Sequence, residues 1–183
     1  SQFDDEFTFA SISLFYDTTQ QILWVGTASM GLMAFDPTSK KHVFFNKKSG
    51  LNDEWINDVY ADKYGQLWLT TNQGIARFIV PDNLKDQLET GYSGKAGTAT
   101  ITNYGTSDGM PFLEFVSTAS HQANDGTLYC GGVGGVVRFN PDKLLIYDNK
   151  PQTYISGFRL FNIPVQQGDS TGIFSDPVHA TSS

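Results

Sequence analysis

The feature that most constrains this chain is an internal repeat of about 44 residues, because a repeat forces the same local structure to recur. Segment 12–37, ISLFYDTTQQILWVGTASMGLMAFDP, aligns with segment 56–81, INDVYADKYGQLWLTTNQGIARFIVP. Trp24 and Trp68 then occupy equivalent positions, 44 residues apart. A third copy follows at 117–141, STASHQANDGTLYCGGVGGVVRFNP, with a tyrosine in place of the tryptophan. Recurring aromatic and glycine positions indicate a packing problem that each copy solves in the same way.

Each copy predicts four short β-strands, because β-branched and aromatic residues recur in short runs bounded by Gly, Asn and Asp. Four strands in roughly 40–45 residues are typical of one blade of a β-propeller. A single blade cannot bury both faces of its sheet, so neighbouring blades must stack against it. The chain is therefore predicted to be all-β, a partial β-propeller of about three four-stranded blades near 8–50, 51–106 and 107–147.

The second copy carries an insertion. Tyr129 follows Trp68 by 61 residues, which is about 17 more than the interval between the first two copies. The extra residues fall at 82–98, DNLKDQLETGYSGKAGT, a polar stretch that contains glycine. This composition predicts an inserted loop, in which 83–89 makes at most one or two helical turns.

Charge and cysteine content exclude some classes of function. The net charge of −7 and the pI near 4.7 argue against a nucleic-acid partner, because phosphate contacts need clustered Lys and Arg. No apolar run approaches the roughly 20 residues of a membrane helix, so we expect no membrane insertion by this segment. Cys130 is the only cysteine, so the chain has no internal disulfide.

The pattern D-x-x-G-x-L-W-x-G-T-x-x-G-L-x-x-F resembles the two-component regulator propeller repeat. The segments SGLNDEW (49–55) and SDGMPFLEF (107–115) are similar to the connections between blades in that family. Segment 151–165, PQTYISGFRLFNIPV, resembles the first strands of the triple-tyrosine-motif domain, an immunoglobulin-like sandwich that follows the propellers. The resemblance implies that 1–147 forms C-terminal propeller blades and that 148–183 begins a truncated immunoglobulin-fold domain.

The same resemblance implies a function in sensing. It predicts part of the periplasmic sensor region of a hybrid two-component histidine kinase, a protein of the inner membrane. The segment would contribute to recognition of an oligosaccharide and to signal transmission, and any kinase activity would belong to the parent protein. Three blades do not close a ring, since propellers have four to eight. The predicted partners are therefore the missing blades and a homodimer partner, and the open edges should drive self-association.

Two other functions remain open at the level of sequence. The blades could serve as a protein-interaction scaffold, or as non-catalytic blades of a carbohydrate-active enzyme. Segments 61–68 and 123–129 come near the Asp-box turns of sialidase-type propellers, but that chemistry needs an arginine cluster with an acid and a nucleophile. The three arginines are Arg77, Arg138 and Arg159, and the first two share one repeat position. We therefore predict no catalytic residue, and the histidine spacing predicts no metal or cofactor site.

Ligand contacts are expected where the loops between strands gather. In a propeller blade with strands A to D, the B–C turns and the connections from strand D to the next strand A emerge at one end. These loops supply the candidate ligand-binding residues Asn52, Trp55, Asn72 and Phe112. An aromatic ring offers a platform for the apolar face of a sugar, and amides bond its hydroxyls. The alternative, that Trp55 and Phe112 pack between blades, stays open.

Overall fold

The computed structural model divides the chain into two compact units, Ser1–Leu144 and Leu145–Ser183. The structure describes residues 10–90, 95–144, 158–161 and 163–165. The regular secondary structure of the described residues in the first unit is mainly antiparallel sheet, with one short α-helix, which confirms the all-β prediction.

The first unit contains three sheets in which consecutive strands pair with one another. The first consists of β1 (Ser11–Asp17), β2 (Ile22–Thr27), β3 (Leu32–Asp36) and β4 (Lys41–Phe45). The second consists of β5 (Ile56–Ala61), β6 (Leu67–Thr71), β7 (Gly74–Ile79) and β8 (Thr100–Tyr104). The third consists of β9 (Phe115–Gln122), β10 (Leu128–Gly132) and β11 (Gly135–Phe139). The predicted end of the third blade, at 145–147, lies outside the described residues.

The three sheets stack as propeller blades. Their first strands, β1, β5 and β9, all contact one another, so the first strand of each blade lies innermost and β4 and β8 form outer edges. One core cluster joins the first and second sheets, through residues that include Trp24, Leu32, Phe45, Leu69 and Phe78. A second cluster joins the second and third sheets, through residues that include Trp68, Ile75, Phe115, Leu128 and Cys130. The repeat therefore encodes the contacts between blades.

The turn between the first two strands of each blade needs a backbone conformation that favours glycine. Gly65 has φ 76° and Gly126 has φ 80°, both in the left-handed region. The equivalent residue of the first blade is Gln21, which has φ 58° and therefore carries strain. The repeat thus keeps its turn even where the sequence lacks glycine.

The insertion in the second blade is more than a loop. It contains α1 (Leu84–Thr90), whose Leu84 and Leu88 are buried in the first core cluster, and the helix packs on β3 and β4 of the first sheet. Farther along, the Gly97 N–H donates to the Phe44 carbonyl at 2.7 Å. The insertion therefore connects the outer strand of the first blade with the second blade through packing and a hydrogen bond.

The innermost strand of the third blade departs from the other two. In β5 one residue, Asn57, is unpaired between the pairs Ile56–Thr71 and Asp58–Thr70. In β9 four residues lie between the pairs Phe115–Gly132 and Ser120–Cys130, opposite a single residue of β10. This bulge includes Thr118 at φ 63°, an unusual conformation for a β-branched residue.

The second unit has a short antiparallel hairpin in its described part. Strands β12 (Phe158–Leu160) and β13 (Ile163–Val165) pair with one another. The rest of the predicted immunoglobulin-like segment, 148–157 and 166–183, lies outside the described residues. In the described part of the chain, no helix is long and apolar enough to cross a bilayer.

Candidate functional site

The connections between blades and the B–C turns meet at one end of the first unit, which we call the connection end. Gly31 donates its N–H to the Glu54 carbonyl at 3.0 Å, and Gly74 donates to the Leu113 carbonyl at 2.9 Å. Each connection therefore lies against the B–C turn of the blade that it leaves. The same end carries the sequence-predicted ligand candidates.

Asn57 organises the connection end from inside. It lies at the bulge of β5 and is 1% exposed. Its Oδ1 accepts hydrogen bonds from Trp55 Nε1 at 3.0 Å and from Ser117 Oγ at 2.7 Å. Its Nδ2 donates to Asn72 Oδ1 at 2.9 Å and to the Phe115 carbonyl at 3.0 Å. One amide thus links a connection, a turn of the second blade and the innermost strand of the third.

A carboxylate completes this network. Asp53 accepts the N–H of Glu54 at 2.8 Å, that of Trp55 at 3.4 Å and that of Asn72 at 3.0 Å. Three backbone donors hold this carboxylate between the connection and the B–C turn, and they compensate its charge. Asn52 adds a further tie, because its Nδ2 donates to the Gln73 carbonyl at 2.5 Å.

Trp55 differs from the other two tryptophans of the chain. Its side chain is 42% exposed, whereas Trp24 is 0% and Trp68 is 3% exposed. Its indole N–H is bonded to Asn57, and its exposed fraction leaves part of the ring facing solvent. Val116 and Val133 are also exposed, and the Val133 N–H donates to the carbonyl of Glu114 in the connection between the second and third blades.

Phe112, in contrast to Trp55, packs against the core between the second and third blades. Its ring lies 5.2 Å from that of Phe115, and it packs against the second core cluster. A Cβ placed at Gly132 would lie 2.3 Å from the Phe112 ring, and one at Gly134 would lie 2.6 Å from it. Phe112 therefore packs on the glycine-rich turn of the third blade, while Trp55 and Asn72 share the Asn57 network and Asn52 bonds the neighbouring Gln73 carbonyl.

Asn57 and Ser117 were not among the residues predicted from the sequence, because the predicted candidates lie in loops and these two residues lie in strands. Asn57 occupies the repeat position of Ser13, so a polar residue in an otherwise apolar innermost strand was the available signal. That signal was weak, because the bulge that turns the side chain towards the connection end cannot be recognised from residue types.

Concave regions lie elsewhere on the first unit, and two of them are lined by aromatic rings or by an ion pair. One, of about 180 Å³, has mainly apolar walls that include Trp68, Tyr104, Met110 and Phe139. The other, of about 450 Å³, lies at the opposite end, where Lys63 and Asp142 form an ion pair at 2.7 Å. The described residues contain no group of three or more His, Cys, Asp or Glu that could hold a metal ion.

A buried polar cluster lies between the second and third blades. Asp58 is 7% exposed, and burial raises the pKa of its carboxyl. Burial also raises the pKa of Tyr60 to about 12 and that of the Cys130 thiol to about 11, with Asp58 adding to both. These groups form part of the blade interface, and a thiol with so high a pKa is unreactive at neutral pH.

A comparison with protein families identifies the repeat. The three stacked antiparallel sheets, with a tryptophan or tyrosine in each second strand, are blades of a β-propeller. Residues 50–73, which include Asn52, Trp55 and Asn57, match the family model described as the two-component regulator propeller. This match confirms, for residues 50–73, the resemblance to the two-component regulator propeller repeat that the sequence pattern predicted.

Proteins of known name are similar to this chain in sequence or in structure. The chain is 30% identical over 133 residues to histidine kinase P4 of Formosa agariphila, an alignment that covers 73% of the chain and 8% of that protein. It is also similar to two extracellular domains of proteins described as hybrid two-component systems from B. thetaiotaomicron. One is 22% identical with a TM-score of 0.42, covering 87% of this chain and 26% of that chain. The other is 21% identical with a TM-score of 0.38, covering 75% and 24%.

Proposed function

We propose that this chain is part of the extracytoplasmic sensor region of a two-component histidine kinase, located in the periplasm, and that its connection end binds an oligosaccharide. The observation that carries the proposal is Trp55, an exposed indole whose orientation is fixed by the buried amide of Asn57. The repeat family of 50–73 and the similarity to a histidine kinase support the sensory role.

The geometry suits a sugar because it combines a rigid aromatic surface with amides. A partly exposed indole can receive the apolar face of a sugar ring, and its restricted orientation lowers the entropy lost on binding. Asn72 keeps its Nδ2 available, because only its Oδ1 and its backbone N–H are used in the network. Gln73, which is exposed beside it, adds a second amide side chain. Such groups bond sugar hydroxyls in either direction.

A signal requires that the ligand bind two arrangements of the sensor unequally. The Asn57 network spans the second and third blades, since it joins Trp55 and Asn72 to Phe115 and Ser117. A ligand bound to Trp55 is therefore connected by hydrogen bonds to both the second and the third blade. We propose that this link, through the missing blades and a homodimer partner, passes the binding event to the kinase.

Isothermal titration calorimetry with a library of plant and algal polysaccharide hydrolysates tests the proposal. We expect Trp55→Ala and Asn72→Ala to lose at least about tenfold in affinity, because each removes a contact worth about 1.4 kcal/mol or more. Asn124→Ala is the matched control, since Asn124 is an exposed asparagine at the opposite end. Equal affinity in Trp55→Ala and the unaltered chain would exclude the connection end as the sugar site.

A second candidate is a surface for a protein partner. Val116 is 47% exposed and Val133 is 74% exposed. Exposed apolar groups of this kind occur in protein interfaces. Loss of self-association or partner binding in Val133→Asp, with sugar affinity unchanged, would favour this function.

A further inference from the structure

The outer part of the third blade differs from that of the other two. In the first and second sheets a fourth strand, β4 or β8, pairs with the third strand, whereas the described residues of the third sheet form three strands. The third strands differ in exposure accordingly. Phe78 of β7 is 0% exposed, while the equivalent Phe139 of β11 is only partly buried and the nearby Val136 is 67% exposed. Within the described part of the chain, β11 is therefore an edge strand.

A groove with mainly apolar walls lies beside this edge, between the second and third blades. Its volume is about 180 Å³, and its walls include Trp68, Tyr104, Met110, Val137 and Phe139. The rings of Trp68 and Tyr104 are stacked with centroids 5.8 Å apart, so the second blade presents two adjoining aromatic rings to the groove. An edge strand beside an apolar groove is a template for strand pairing.

The equivalent space between the first two blades is filled by the insertion and by β8. Ile101 of β8 pairs with Phe78 and packs against the first core cluster. Asn103, two residues further on, bonds the connection between those blades. Its Nδ2 donates to the Gly50 carbonyl at 2.8 Å, and its Oδ1 accepts the Asn52 N–H at 3.2 Å. A fourth strand thus closes the groove with an apolar side chain and holds the connection with an amide.

The connection between the second and third blades repeats the groups that take part in this contact. Gly50 and Gly109 each follow a 3-10 turn and have a positive φ, of 110° and 88°. Leu51 is buried in the first core cluster, and Met110 packs against the second. Among the described residues, no side-chain amide bonds the Gly109 carbonyl as Asn103 bonds that of Gly50. The third blade therefore has the groove and the acceptor for a fourth strand.

We propose that the edge of β11 and the adjoining groove bind an extended peptide strand, which completes the third blade as its fourth strand. The strand runs antiparallel to β11, as β8 runs antiparallel to β7. It places an apolar side chain opposite Phe139 and an asparagine opposite Val137, whose amide donates to the Gly109 carbonyl. Pro111 stands in the place of Asn52 and lacks an N–H, so the donor side of that amide makes the contact.

The occupant is therefore a segment of the pattern apolar-x-Asn, as in Ile101–Asn103 of β8. In strand addition the backbone hydrogen bonds supply affinity, and pockets for alternate side chains supply selectivity. The site is independent of the proposed sugar site, because it needs neither Trp55 nor Asn72.

A peptide with the sequence of residues 98–105, TATITNYG, is the probe, because it contains the strand that fills this place in the second blade. In an NMR titration of the isotope-labelled chain, we expect saturable shifts of the amide resonances of 135–139. The same peptide with Ile101→Asp should bind at least about tenfold more weakly, since it would bury a carboxylate in the groove. Equal binding of the two peptides, or no shifts in β11 at millimolar peptide, would overturn the proposal.

Two neighbouring valines distinguish the faces of β11. Val137 lines the groove, whereas Val136 is 67% exposed. We expect Val137→Lys to weaken peptide binding at least about tenfold, and the matched control Val136→Lys to change it by less than about twofold. The spectrum of each free variant verifies its fold, and the peptide variant gives the same test on the unaltered chain. Shifts confined to β4 or β8 would refute the assignment to β11. A stable dimer whose β11 amides are already protected from exchange and unmoved by peptide would overturn it in favour of a second copy.

Discussion

Trp68 of the second blade packs against Phe139 of the third, with ring centroids 5.2 Å apart. Trp24 of the first blade stands in the same relation to Phe78 of the second, at 5.5 Å. In both pairs the tryptophan comes from the second strand of one blade and the phenylalanine from the third strand of the next. The sequence repeat therefore reflects one type of contact between blades, which occurs twice in the first unit.

Removing that contact should weaken the stack of blades. We expect Trp68→Ala to lower the free energy of unfolding by about 3–5 kcal/mol, because a buried indole leaves a large cavity and its bond to Asp62 is lost. Chemical denaturation followed by circular dichroism measures the change. Tyr64→Ala, at a side chain 69% exposed, is the control and should cost less than about 1 kcal/mol. Similar losses in both variants would refute the role of Trp68.

The strained turn of the first blade offers a stabilising change. Gln21 has φ 58° where the second blade has Gly65, so Gln21→Gly should raise the free energy of unfolding by about 0.5–1 kcal/mol. The neighbouring Gln20→Gly should lower it by about the same amount, because only flexibility is added there. Thermal denaturation of both variants compares them directly. A loss of stability in Gln21→Gly would show that the turn conformation is not strained.

The buried carboxyl of Asp58 should make stability depend on pH. Burial raises its pKa in the folded chain from the ordinary 3.8, so folding favours the protonated form. Its contribution is then greatest below pH 3.8 and is lost as pH rises through the raised pKa. Asp58→Asn should therefore gain stability relative to the unaltered chain between pH 4 and pH 7, as measured by urea denaturation at several pH values. A difference that stays constant over this range would contradict the prediction.

The insertion should stabilise the contact between the first two blades. Leu88 is 4% exposed in the core that joins them, so Leu88→Ala should cost about 2–5 kcal/mol. Lys85→Ala, on the exposed side of α1, should cost less than about 0.5 kcal/mol. Equilibrium denaturation distinguishes them. If Leu88→Ala were as stable as Lys85→Ala, the insertion would be an ordinary surface excursion.

Much of the fold was predictable because the repeat gives each strand two or three independent copies. The four strands predicted for each copy are all present in the first and second sheets. The packing of α1 on the first blade was not predictable, since a polar insertion with two leucines does not specify its target surface. The four-residue bulge around Thr118 also escaped, because its residue types are ordinary for a strand.

The candidate site was predicted in part. Trp55 and Asn72 do lie in one hydrogen-bonded network, and Asn52 bonds the Gln73 carbonyl beside it, because connections and B–C turns meet at the same end of any propeller. The centre of that network, Asn57, is a strand residue whose role depends on a bulge and on contacts with the next blade. Such contacts join residues about 60 positions apart, and single-sequence patterns carry no information on them.

The central claim, that a sugar rests on Trp55, has a direct spectroscopic test. The chain has three tryptophans, of which two are buried and only Trp55 is substantially exposed. Intrinsic fluorescence during titration with an oligosaccharide that binds by calorimetry should therefore report on Trp55. We predict a saturable shift of the emission to shorter wavelength, absent in Trp55→Phe. A full shift retained in Trp55→Phe, or saturable binding without any change in emission, would contradict the account.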